Sequence, residues 1–458
     1  MKQLPENIKS VYFLGIGGIG MSALARYFKE MNCHVSGYDK TPSPITDTLI
    51  SEDIDVHFED NPQFIPDLVD LVIYTPAIPD SNKEMQYLKE SKLLMMKRAE
   101  VLGCISQNKK CIAIAGSHGK TSVTSMTTLL LSEQKKILAF IGGIALNFKS
   151  NYIHKQDAEY FIVEADEYDR SFLQLAPDTA LITSMDADHL DIYKTNQSMI
   201  EAFNCFVNNI KNKGHLIIKY DLLPQINTQH KCYTYSLQNP LSDYYASNIH
   251  IIDEHYQFNI HTPKGIIGNI SLQGGGLHNI ENAVAAAAIA CEEQINLEEI
   301  KHKLSVYKGV KRRFEYIIRR DDFIYIDDYA HHPNELKAAI TSAKLLHPTR
   351  KICGIFQPHL YTRTRDFADE FAQSLNALDE IILLEIYPAR EEAIEGVNAQ
   401  MLLDKIKNPN KRIVDKNTLI PYLLSNKPEF IITFGAGDID RLVDKIKKAF
   451  TDRKSTRL

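Results

Sequence analysis

An α/β protein of about three domains is predicted by the length of the chain and by its alternation of apolar runs and helical stretches. The 458 residues exceed what one hydrophobic core supports, since domains usually contain about 150 residues. Apolar β-like runs lead repeatedly into polar turns and then into helical stretches, which is the order of βαβ units. Two of these turns, Gly15–Gly20 and Gly116–Thr121, are rich in glycine, as phosphate-binding loops at helix N-termini are.

The first glycine loop follows the predicted strand Val11–Leu14 and precedes a predicted helix. Its glycines are Gly15, Gly17, Gly18 and Gly20. The next predicted strand, His34–Tyr38, ends at Asp39, the position from which an acid binds a ribose hydroxyl in dinucleotide-binding folds. The loop itself specifies only a pyrophosphate at a helix N-terminus, so NAD and a UDP-sugar both remain compatible with it.

The second glycine loop, AGSHGKTSVT, says most about function. It lies between an apolar run, Cys111–Ala115, and a helical stretch from Ser122 to Leu131. Its glycines let backbone N–H groups surround phosphate oxygens, Lys120 adds a cation, and the Thr121 hydroxyl suits a nucleotide-bound Mg²⁺. Ile114 replaces the first glycine of the full P-loop pattern, but the helix N-terminus supplies most of the anion site. A glycine-rich turn with a solvated lysine is the alternative; the flanking strand and helix favour ATP.

Two more strands of this segment are predicted to end in acidic clusters. The strand Tyr160–Val163 leads into Glu164–Glu167, and the strand Thr179–Thr183 leads into Asp186–Asp191, which contains His189. Parallel strands end on the edge of the sheet that also carries the phosphate loop. Carboxylates and an imidazole beside phosphates are natural ligands of Mg²⁺. Helix capping is the alternative for each cluster, but two clusters on one edge favour a metal site.

An alanine-rich helix is predicted over Ala283–Cys291, after the glycines Gly274–Gly276. The polar side chains just before it, His278, Asn279 and Asn282, are spaced to reach a bound base or the metal ligands. Capping of the helix is the alternative explanation for the same residues.

The third segment places polar clusters after three predicted strands. The strand and cluster pairs are Phe323–Ile326 with Asp327–Pro333, Ile352–Phe356 with Gln357–Arg365, and Phe430–Thr433 with Gly435–Asp438. Open α/β sheets bind ligands at such strand ends. Arginines there suit carboxylate or phosphate groups.

The composition excludes several classes of protein. The net charge of −6 argues against a nucleic-acid binder that works by phosphate neutralisation. The seven cysteines are scattered without a CxxC pair, which fits a reducing cytosol and indicates no zinc site. Neither a signal peptide nor a stretch of ~20 apolar residues is evident. We therefore expect a cytoplasmic protein without a membrane partner.

Nine motifs, in order along nearly the whole chain, resemble the Mur ligase family of peptidoglycan synthesis. They are GIGGIGMS, AGSHGKTS, EADEYDRSF, DADHLDIY, LHNIENAVAAAA, KGVKRRFE, DDYAHHP, FQPHLYTRTRDF and FGAGDI. The resemblance is closest to the branch of the family that joins L-alanine to UDP-N-acetylmuramate. Nine ordered motifs are far more specific than any one of them.

The resemblance implies three domains and one reaction. The domains are a Rossmann-like UDP-sugar domain at 1–107, a central P-loop ATPase domain with a mostly parallel sheet at 108–313, and a Rossmann-like C-terminal domain at 314–458. The implied reaction forms an amide between UDP-N-acetylmuramate and L-alanine through an acyl phosphate, with ATP and two Mg²⁺ ions. The implied protein is a cytoplasmic monomer or homodimer that binds neither nucleic acid nor membrane.

The resemblance also assigns roles to residues. The implied ATP-binding residues are Gly116, Ser117, His118, Gly119, Lys120, Thr121, Ser122, His278, Asn279, Asn282, Arg313 and Asp328. The implied metal ligands are Thr121, Glu164 and His189. The implied UDP-sugar residues are Gly15, Gly17, Gly18, Gly20 and Asp39. The candidates for the substrate carboxylates are His332, His359 and Arg363. The implied catalytic set is Lys120, Glu164, His189, Arg313, His332 and Arg363, with Arg313 on the γ-phosphate and Asp328 on the ribose.

Three positions depart from the family pattern. Ser117 replaces a threonine of the phosphate loop, and Ser184 stands where many relatives have asparagine. Leu360 stands where arginine is common, so one substrate contact is lost or supplied elsewhere.

Other functions remain as alternatives. The nearest is a recycling ligase of the same family, which joins a whole tripeptide to UDP-N-acetylmuramate. Folate-polyglutamate-type ligases share the P-loop but give no reason for the first glycine loop. An NAD-dependent dehydrogenase would use the first glycine loop and Asp39, but it leaves the second loop unexplained. A non-enzymatic nucleotide switch would show phosphate release independent of an amine acceptor.

Overall fold

The structure, a computed structural model, describes residues 3–186, 193, 195–389 and 391–451. Over these residues the strands form three sheets, of five, ten and six strands, in the three-domain α/β architecture expected from the sequence. The chain divides into two compact units. The first holds Met1–Ile249, Phe258–Ile270 and Ile280–Lys308, and the second holds His250–Gln257, Ser271–Asn279 and Gly309–Leu458. The domain boundaries given by the resemblance stay predictions.

The first sheet is formed by the N-terminal residues. Its strands are β1 (Ser10–Leu14), β2 (His34–Tyr38), β3 (Asp55–His57), β4 (Leu71–Tyr74) and β5 (Met95–Lys97). Its helices are α1 (Ile19–Glu30), α2 (Pro44–Ser51), α3 (Lys83–Glu90) and α4 (Arg98–Ser106), with a 3₁₀ turn at Pro62–Phe64. The strand order is β3-β2-β1-β4-β5, and all pairs are parallel. The central strand β1 is buried along its whole length, which explains its unbroken apolar run.

The second sheet carries the second glycine loop. Its strands are β6 (Lys110–Ala115), β7 (Ile137–Ala145), β8 (Ser150–His154), β9 (Tyr160–Ala165), β10 (Thr179–Ile182), β11 (His215–Lys219), β12 (Lys231–Ser236), β13 (Tyr244–Ile252), β14 (His255–Thr262) and β15 (Gly265–Gln273). Their order is β15-β14-β13-β12-β11-β10-β6-β9-β7-β8. The accompanying helices are α5 (Lys120–Leu131), α6 (Asn196–Asn208), α7 (Leu277–Glu292) and α8 (Leu297–Ser305), with 3₁₀ turns at Tyr168–Gln174 and Tyr220–Gln225.

The register of this sheet brings the expected polar clusters to one edge. Ala115, the last residue of β6, pairs with Ile182 of β10 on one side and with Ala165 of β9 on the other. Both pairings are parallel. The glycine loop and the polar residues that follow β9 and β10 therefore leave the sheet at the same edge, as the sequence predicts.

The third sheet is formed by the C-terminal residues. Its strands are β16 (Glu315–Arg319), β17 (Ile324–Asp328), β18 (Ile352–Phe356), β19 (Glu380–Leu383), β20 (Lys411–Ile413) and β21 (Phe430–Phe434). Its helices are α9 (Pro333–Leu346), α10 (Tyr361–Asp366), α11 (Ala368–Leu375), α12 (Ala399–Lys405), α13 (Lys416–Asn426) and α14 (Asp440–Thr451). The order is β16-β17-β21-β18-β19-β20, with β16 antiparallel to β17. Phe434 pairs with both Asp328 and Phe356, so the three C-terminal polar clusters also share one edge.

Within the first unit, the first two sheets share a hydrophobic core. Helix α1 packs on β7 and β8, where the ring of Tyr27 lies 6.0 Å from that of Phe140 and 6.4 Å from that of Tyr152. The buried Asn151 donates to the carbonyl of Ile19 at 2.6 Å and to the hydroxyl of Ser22 at 3.0 Å. The first turn of α1 is thus bound to the second sheet.

The seven cysteines are free thiols. Of the helices in the described ranges, none combines the length and the apolar character that crossing a bilayer requires.

Candidate active site

The second glycine loop needs glycine at two positions. Gly116 follows β6 with φ +130°, and Gly119 precedes α5 with φ +83°, both in the region that side chains disfavour. A Cβ at Gly116 would overlap the Thr183 hydroxyl and would lie 2.7 Å from the backbone nitrogen of Ser184. A Cβ at Gly119 would lie 2.7 Å from Oδ1 of Asn282. The loop is therefore packed tightly against its neighbours as well as sharply turned.

Ser184 ties this loop to the end of β10. The N–H of Ser117 donates to the carbonyl of Ser184 at 3.2 Å, and the N–H of His118 donates to the Ser184 hydroxyl at 2.8 Å. The Thr183 hydroxyl donates to the carbonyl of His118 at 2.5 Å. The sequence led us to expect that the loop N–H groups surround phosphate, but these two are bonded to protein. The first N–H groups of α5 have no partner within the helix, so the anion site is mainly that of the helix N-terminus.

Lys120 is bound to a carboxylate that the sequence did not single out. Its Nζ donates to the two carboxylate oxygens of Glu167, at 2.8 and 3.0 Å, and to the carbonyl of Gly116 at 2.6 Å. The Glu167 side chain is completely buried. Burial alone would lower the pKa of Lys120, but the charges of Glu167, Glu164 and Asp166 outweigh it and raise that pKa. Lys120 therefore keeps its positive charge at neutral pH.

The predicted metal ligands Thr121 and Glu164 are in contact. The Thr121 hydroxyl donates to Oε2 of Glu164 at 2.9 Å, and the N–H of Gly142 donates to the same oxygen at 3.0 Å. A Cβ at Gly142 would overlap this carboxylate, so glycine is needed there. The third predicted ligand, His189, lies outside the described residues. Among the residues that are described, no three His, Cys, Asp or Glu side chains form a metal-binding group.

The first glycine loop is held by Asp39. The N–H of Gly15 donates to the carbonyl of Tyr38 at 2.8 Å, and the N–H of Gly17 donates to Oδ2 of Asp39 at 2.8 Å. The other oxygen of Asp39 accepts from the N–H of Thr41 at 3.3 Å. Gly18 is the N-cap of α1, and Gly20 lies in its first turn. The four glycines therefore lie in this loop and the first turn of α1, and Asp39, which follows β2, holds the loop through the N–H of Gly17.

The predicted adenine residues lie on α7. Asn282 is buried and its side-chain oxygen contacts Gly119, as described above, so it lies against the phosphate loop in the first unit. His278 and Asn279, one turn earlier, belong to the second unit. There, the N–H of Asn279 donates to the carbonyl of Gly276 at 2.8 Å. Their proximity to adenine stays a prediction.

In the second unit, Asp328 organises the loop that carries Arg313. Its Oδ2 accepts from the N–H of Phe314 at 2.8 Å, and its Oδ1 accepts from the N–H of Ala330 at 2.7 Å. Burial raises the pKa of Asp328 to about 7, although Arg313 and these two N–H groups favour the charged form. Each carboxylate oxygen has a second lone pair for a further hydrogen bond. Ribose binding by Asp328 stays a prediction.

Glu335 gathers the charged groups around the start of α9. Its Oε2 accepts from the N–H of His331 at 3.0 Å and of His332 at 3.2 Å, and its Oε1 lies 3.7 Å from Nη1 of Arg313. His332 is the N-cap of α9, and its Nδ1 accepts from the N–H of Asn334 at 3.4 Å. The Nε2 of a neutral His332 therefore carries the proton and is a hydrogen-bond donor.

His359 and Arg363 lie close to His331. The rings of His331 and His359 are 6.1 Å apart, and His359 stacks on Tyr387 at 5.8 Å. Burial lowers the pKa of His331, and the charges of Arg363 and Arg313 lower it further. Leu360, where the family often has arginine, adopts φ +71° at the N-cap of α10. Two of the carboxylate candidates, His359 and Arg363, are thus near His331, which directly precedes the third, His332.

Three residues of these sites were missed by the sequence analysis as partners: Glu167, Ser184 and Glu335. Glu167 was visible only as a member of an acidic cluster, and Ser184 only as a departure from a family pattern. Glu335, two residues beyond the cluster Asp327–Pro333, was not singled out. Their roles depend on which loop lies opposite them, which local spacing does not reveal.

Comparison with known proteins finds one family along nearly the whole chain. The model of the Mur ligase family, catalytic domain, matches residues 10–110; the Mur ligase middle domain matches 114–290; and the Mur ligase, glutamate ligase domain matches 312–437. The UDP-N-acetylmuramate–L-alanine ligase of Porphyromonas gingivalis is 45% identical over 451 residues, covering 96% of this chain and 99% of the relative. That of Flavobacterium psychrophilum is 47% identical over 454 residues, covering 98% and 99%.

Solved structures agree with this comparison. The UDP-N-acetylmuramate–alanine ligase MurC from Thermotoga maritima has a TM-score of 0.83 at 25% identity, covering 98% of this chain and 100% of that one. A murein peptide ligase from Psychrobacter arcticus has a TM-score of 0.70 at 22% identity, covering 96% and 98%, and shows the fold alone. The resemblance of the nine motifs is therefore confirmed, and the protein belongs to the Mur ligase family.

Proposed function

We propose that this protein is an ATP-dependent ligase that joins L-alanine to the carboxylate of UDP-N-acetylmuramate, in peptidoglycan precursor synthesis. The observation that carries the proposal is Lys120 at the start of α5, paired with the buried Glu167, next to the Thr121–Glu164 pair and in the same compact unit as the first glycine loop. Relatives with this activity by name are 43–47% identical along nearly the whole chain. A dehydrogenase would explain only the first loop.

ATP is expected to bind at the N-terminus of α5. Lys120 and the first helical N–H groups are the donors for the phosphates, and Lys120 must exchange part of its bonding with Glu167 for a phosphate oxygen. We propose Gly116 to Ser122 as the phosphate loop and Asn282 as a residue that supports it. Arg313 is proposed for the γ-phosphate, Asp328 for the ribose, and His278 and Asn279 for the adenine.

Magnesium fits the residues that lie beside this loop. A hydroxyl and a carboxylate 2.9 Å apart, Thr121 and Glu164, are hard oxygen ligands of the kind that Mg²⁺ prefers. We propose that these two residues and His189 hold Mg²⁺, with two ions as the expected number. The metal would neutralise negative charge on the phosphates.

The chemistry follows from the weak electrophilicity of a carboxylate. An oxygen of the sugar carboxylate attacks the γ-phosphorus of ATP, the bond to the ADP oxygen breaks, and an acyl phosphate forms. The amine of L-alanine then attacks the carbonyl carbon, loses a proton, and expels inorganic phosphate as the amide forms. Both steps build negative charge on oxygen, which Lys120 and Arg313 are suited to stabilise.

Substrate recognition is proposed for two further groups of residues. The loop of Gly15, Gly17, Gly18 and Gly20, shaped by Asp39, is proposed to bind the uridine diphosphate at the N-terminus of α1. In the second unit, His332, His359 and Arg363 are proposed for the carboxylates of the muramoyl group and of alanine. The donor Nε2 of His332 and the guanidinium of Arg363 both suit a carboxylate.

The second candidate is the recycling ligase, which accepts a tripeptide in place of L-alanine; the fold alone is shared with the murein peptide ligase described above. An acceptor panel separates the two. Purified protein is incubated with ATP, Mg²⁺, UDP-N-acetylmuramate and either L-alanine, glycine, L-serine or the tripeptide, and products are identified by mass spectrometry. The proposal expects the alanyl product to dominate. Dominance of the tripeptide product would replace it with the recycling activity. We further propose a cytoplasmic location and a monomer or homodimer.

A further inference from the structure

Arg98 lies between the first turn of α1 and the acidic segment that follows β9. It is the first residue of α4, directly after β5, and its side chain is a quarter exposed. A Cβ at Gly20 would overlap Nη1 of Arg98 and would lie 3.1 Å from its Cζ. The guanidinium therefore covers the first turn of α1, the turn at which a helix binds an anion.

A cation in this position is electrostatically unfavourable without an anion beside it. The N-terminus of a helix carries about half a positive charge, so Arg98 and α1 repel each other. The observed counter-charge is Asp166, whose Oδ2 accepts one hydrogen bond from Nη2 of Arg98 at 3.3 Å. Among the described residues this is the one hydrogen bond that the Arg98 guanidinium makes. It is long for a group with five donors that favours paired bonds to carboxylate or phosphate.

Asp166 belongs to the acidic segment of the ATP site. It lies between Glu164, which binds the Thr121 hydroxyl, and Glu167, which binds Lys120. Its Oδ1 accepts from the N–H of Tyr168 at 3.1 Å. Burial lowers the pKa of Lys120, and the charges of Glu167, Glu164 and Asp166 raise it, in that order of size. Asp166 therefore acts electrostatically on Lys120.

We propose that Arg98 is a diphosphate-binding residue that exchanges partners: Asp166 holds it in the unliganded protein, and the diphosphate of the sugar nucleotide takes it over. The exchange releases the carboxylate of Asp166 to the segment that holds Lys120 and Thr121. Occupancy of the first glycine loop is thereby communicated to the ATP site. This inference rests on the proposed function, because it assumes a nucleoside diphosphate in the first loop.

The neighbouring Lys97 provides a matched control. Its Nζ donates to Oδ2 of Asp169 at 2.7 Å, so it makes a comparable ion pair to the same segment. Asp169 and Arg170 have φ +52° and +53°, and the Lys97 pair helps to hold this left-handed turn. Removing Lys97 tests a pair that supports the segment without covering Gly20.

The test is the dissociation constant of UDP-N-acetylmuramate, with UDP and UMP as shorter probes, measured by calorimetry on full-length protein. Arg98→Ala should weaken UDP-N-acetylmuramate and UDP by about 10- to 100-fold, because charge-assisted bonds are lost. It should affect UMP, which lacks the second phosphate, much less. Arg98→Lys should recover part of the affinity, and Lys97→Ala should bind like the wild type.

Asp166→Asn gives the decisive contrast. If Asp166 competes with the diphosphate for Arg98, this variant should bind UDP-N-acetylmuramate about two- to fivefold more tightly. If the pair is merely structural, Asp166→Asn and Arg98→Ala should weaken binding alike, and the exchange is overturned. Unchanged binding by Arg98→Ala overturns it as well, while leaving the proposed function intact. Failure of the wild type to bind any uridine nucleotide would overturn both.

Discussion

Lys120 donates to both carboxylate oxygens of the buried Glu167, so the cation expected to hold ATP phosphates is bound to protein in this structure. The pair has one member with no exposed surface and one with 12% exposed. Removing one member of a buried ion pair leaves the other charge uncompensated. The free energy that this costs exceeds the stabilisation that the intact pair provides. Glu167 therefore keeps Lys120 in place until a phosphate competes for it.

Replacement of Lys120 tests both sides of this relationship. Lys120→Ala should reduce ATP turnover by about 10²- to 10³-fold or more and leave UDP-sugar binding intact. It should also lower the free energy of unfolding by about 3–5 kcal/mol, because Glu167 loses its partner. Phosphate release, calorimetry and denaturant unfolding give the three readouts.

The control for this experiment is the double variant Lys120→Ala, Glu167→Gln. Removing the orphaned charge should restore much of the stability without restoring turnover. Normal ligase activity in Lys120→Ala would refute the assignment of the ATP site. A double variant as unstable as the single one would refute the role of Glu167.

The fold was largely predictable, and the reasons are visible in particular elements. The strands His34–Tyr38 and Ile352–Phe356 have the predicted bounds, because buried parallel strands are short apolar runs with polar ends. The helix predicted from Ala283 begins six residues earlier, at Leu277. Its first turns are polar, and a polar first turn resembles a loop in sequence.

The site was predictable as a set of residue types but not as a set of partners. The phosphate loop, Thr121 and Glu164 were found from local patterns, and the last two are in contact. The pairing of Lys120 with Glu167 and of Ser184 with the loop N–H groups joins residues from different strands. Such pairings depend on strand register and loop conformation, which one sequence does not display.

Magnesium dependence should respond to the Thr121–Glu164 pair. Glu164→Gln removes a charged oxygen ligand and should raise the Mg²⁺ concentration at half-maximal activity by about tenfold or more. His189→Ala should have the same direction of effect. Thr121→Ser keeps the hydroxyl and should stay close to the wild type. A Mg²⁺ titration of Glu164→Gln that coincides with that of the wild type would remove Glu164 from the metal site.

Gly119 should tolerate no side chain. Gly119→Ala places a Cβ at φ +83° and 2.7 Å from Oδ1 of Asn282; the backbone alone costs about 1–2 kcal/mol. The KM for ATP should rise, since the clash moves the loop. Gly309 is the matched control, because it has φ +94° and nothing within 4 Å of its Cβ position. If Gly309→Ala and Gly119→Ala raise the KM for ATP equally, contact with Asn282 is not the cause.

Asp328 should make stability fall as pH rises from about 4 to about 7. Its folded pKa of about 7, raised by burial, exceeds that of the unfolded chain, so the folded state binds the extra proton in this interval. The free energy of unfolding should lose about 1.4 kcal/mol per pH unit from this group and level off above pH 7. Asp328→Asn should lack this contribution. Urea unfolding of both proteins from pH 4 to 8 measures it, and a difference between them that does not vary with pH would contradict it.

The most direct test of the reaction follows oxygen atoms. UDP-N-acetylmuramate labelled with ¹⁸O in its carboxylate is incubated with the protein, ATP, Mg²⁺ and L-alanine, and the inorganic phosphate is examined by mass spectrometry. If the γ-phosphoryl group passes to the sugar carboxylate, each phosphate released with amide formation should carry one ¹⁸O atom. Release of unlabelled phosphate, or no ATP consumption with all substrates present, would contradict the proposed ligase.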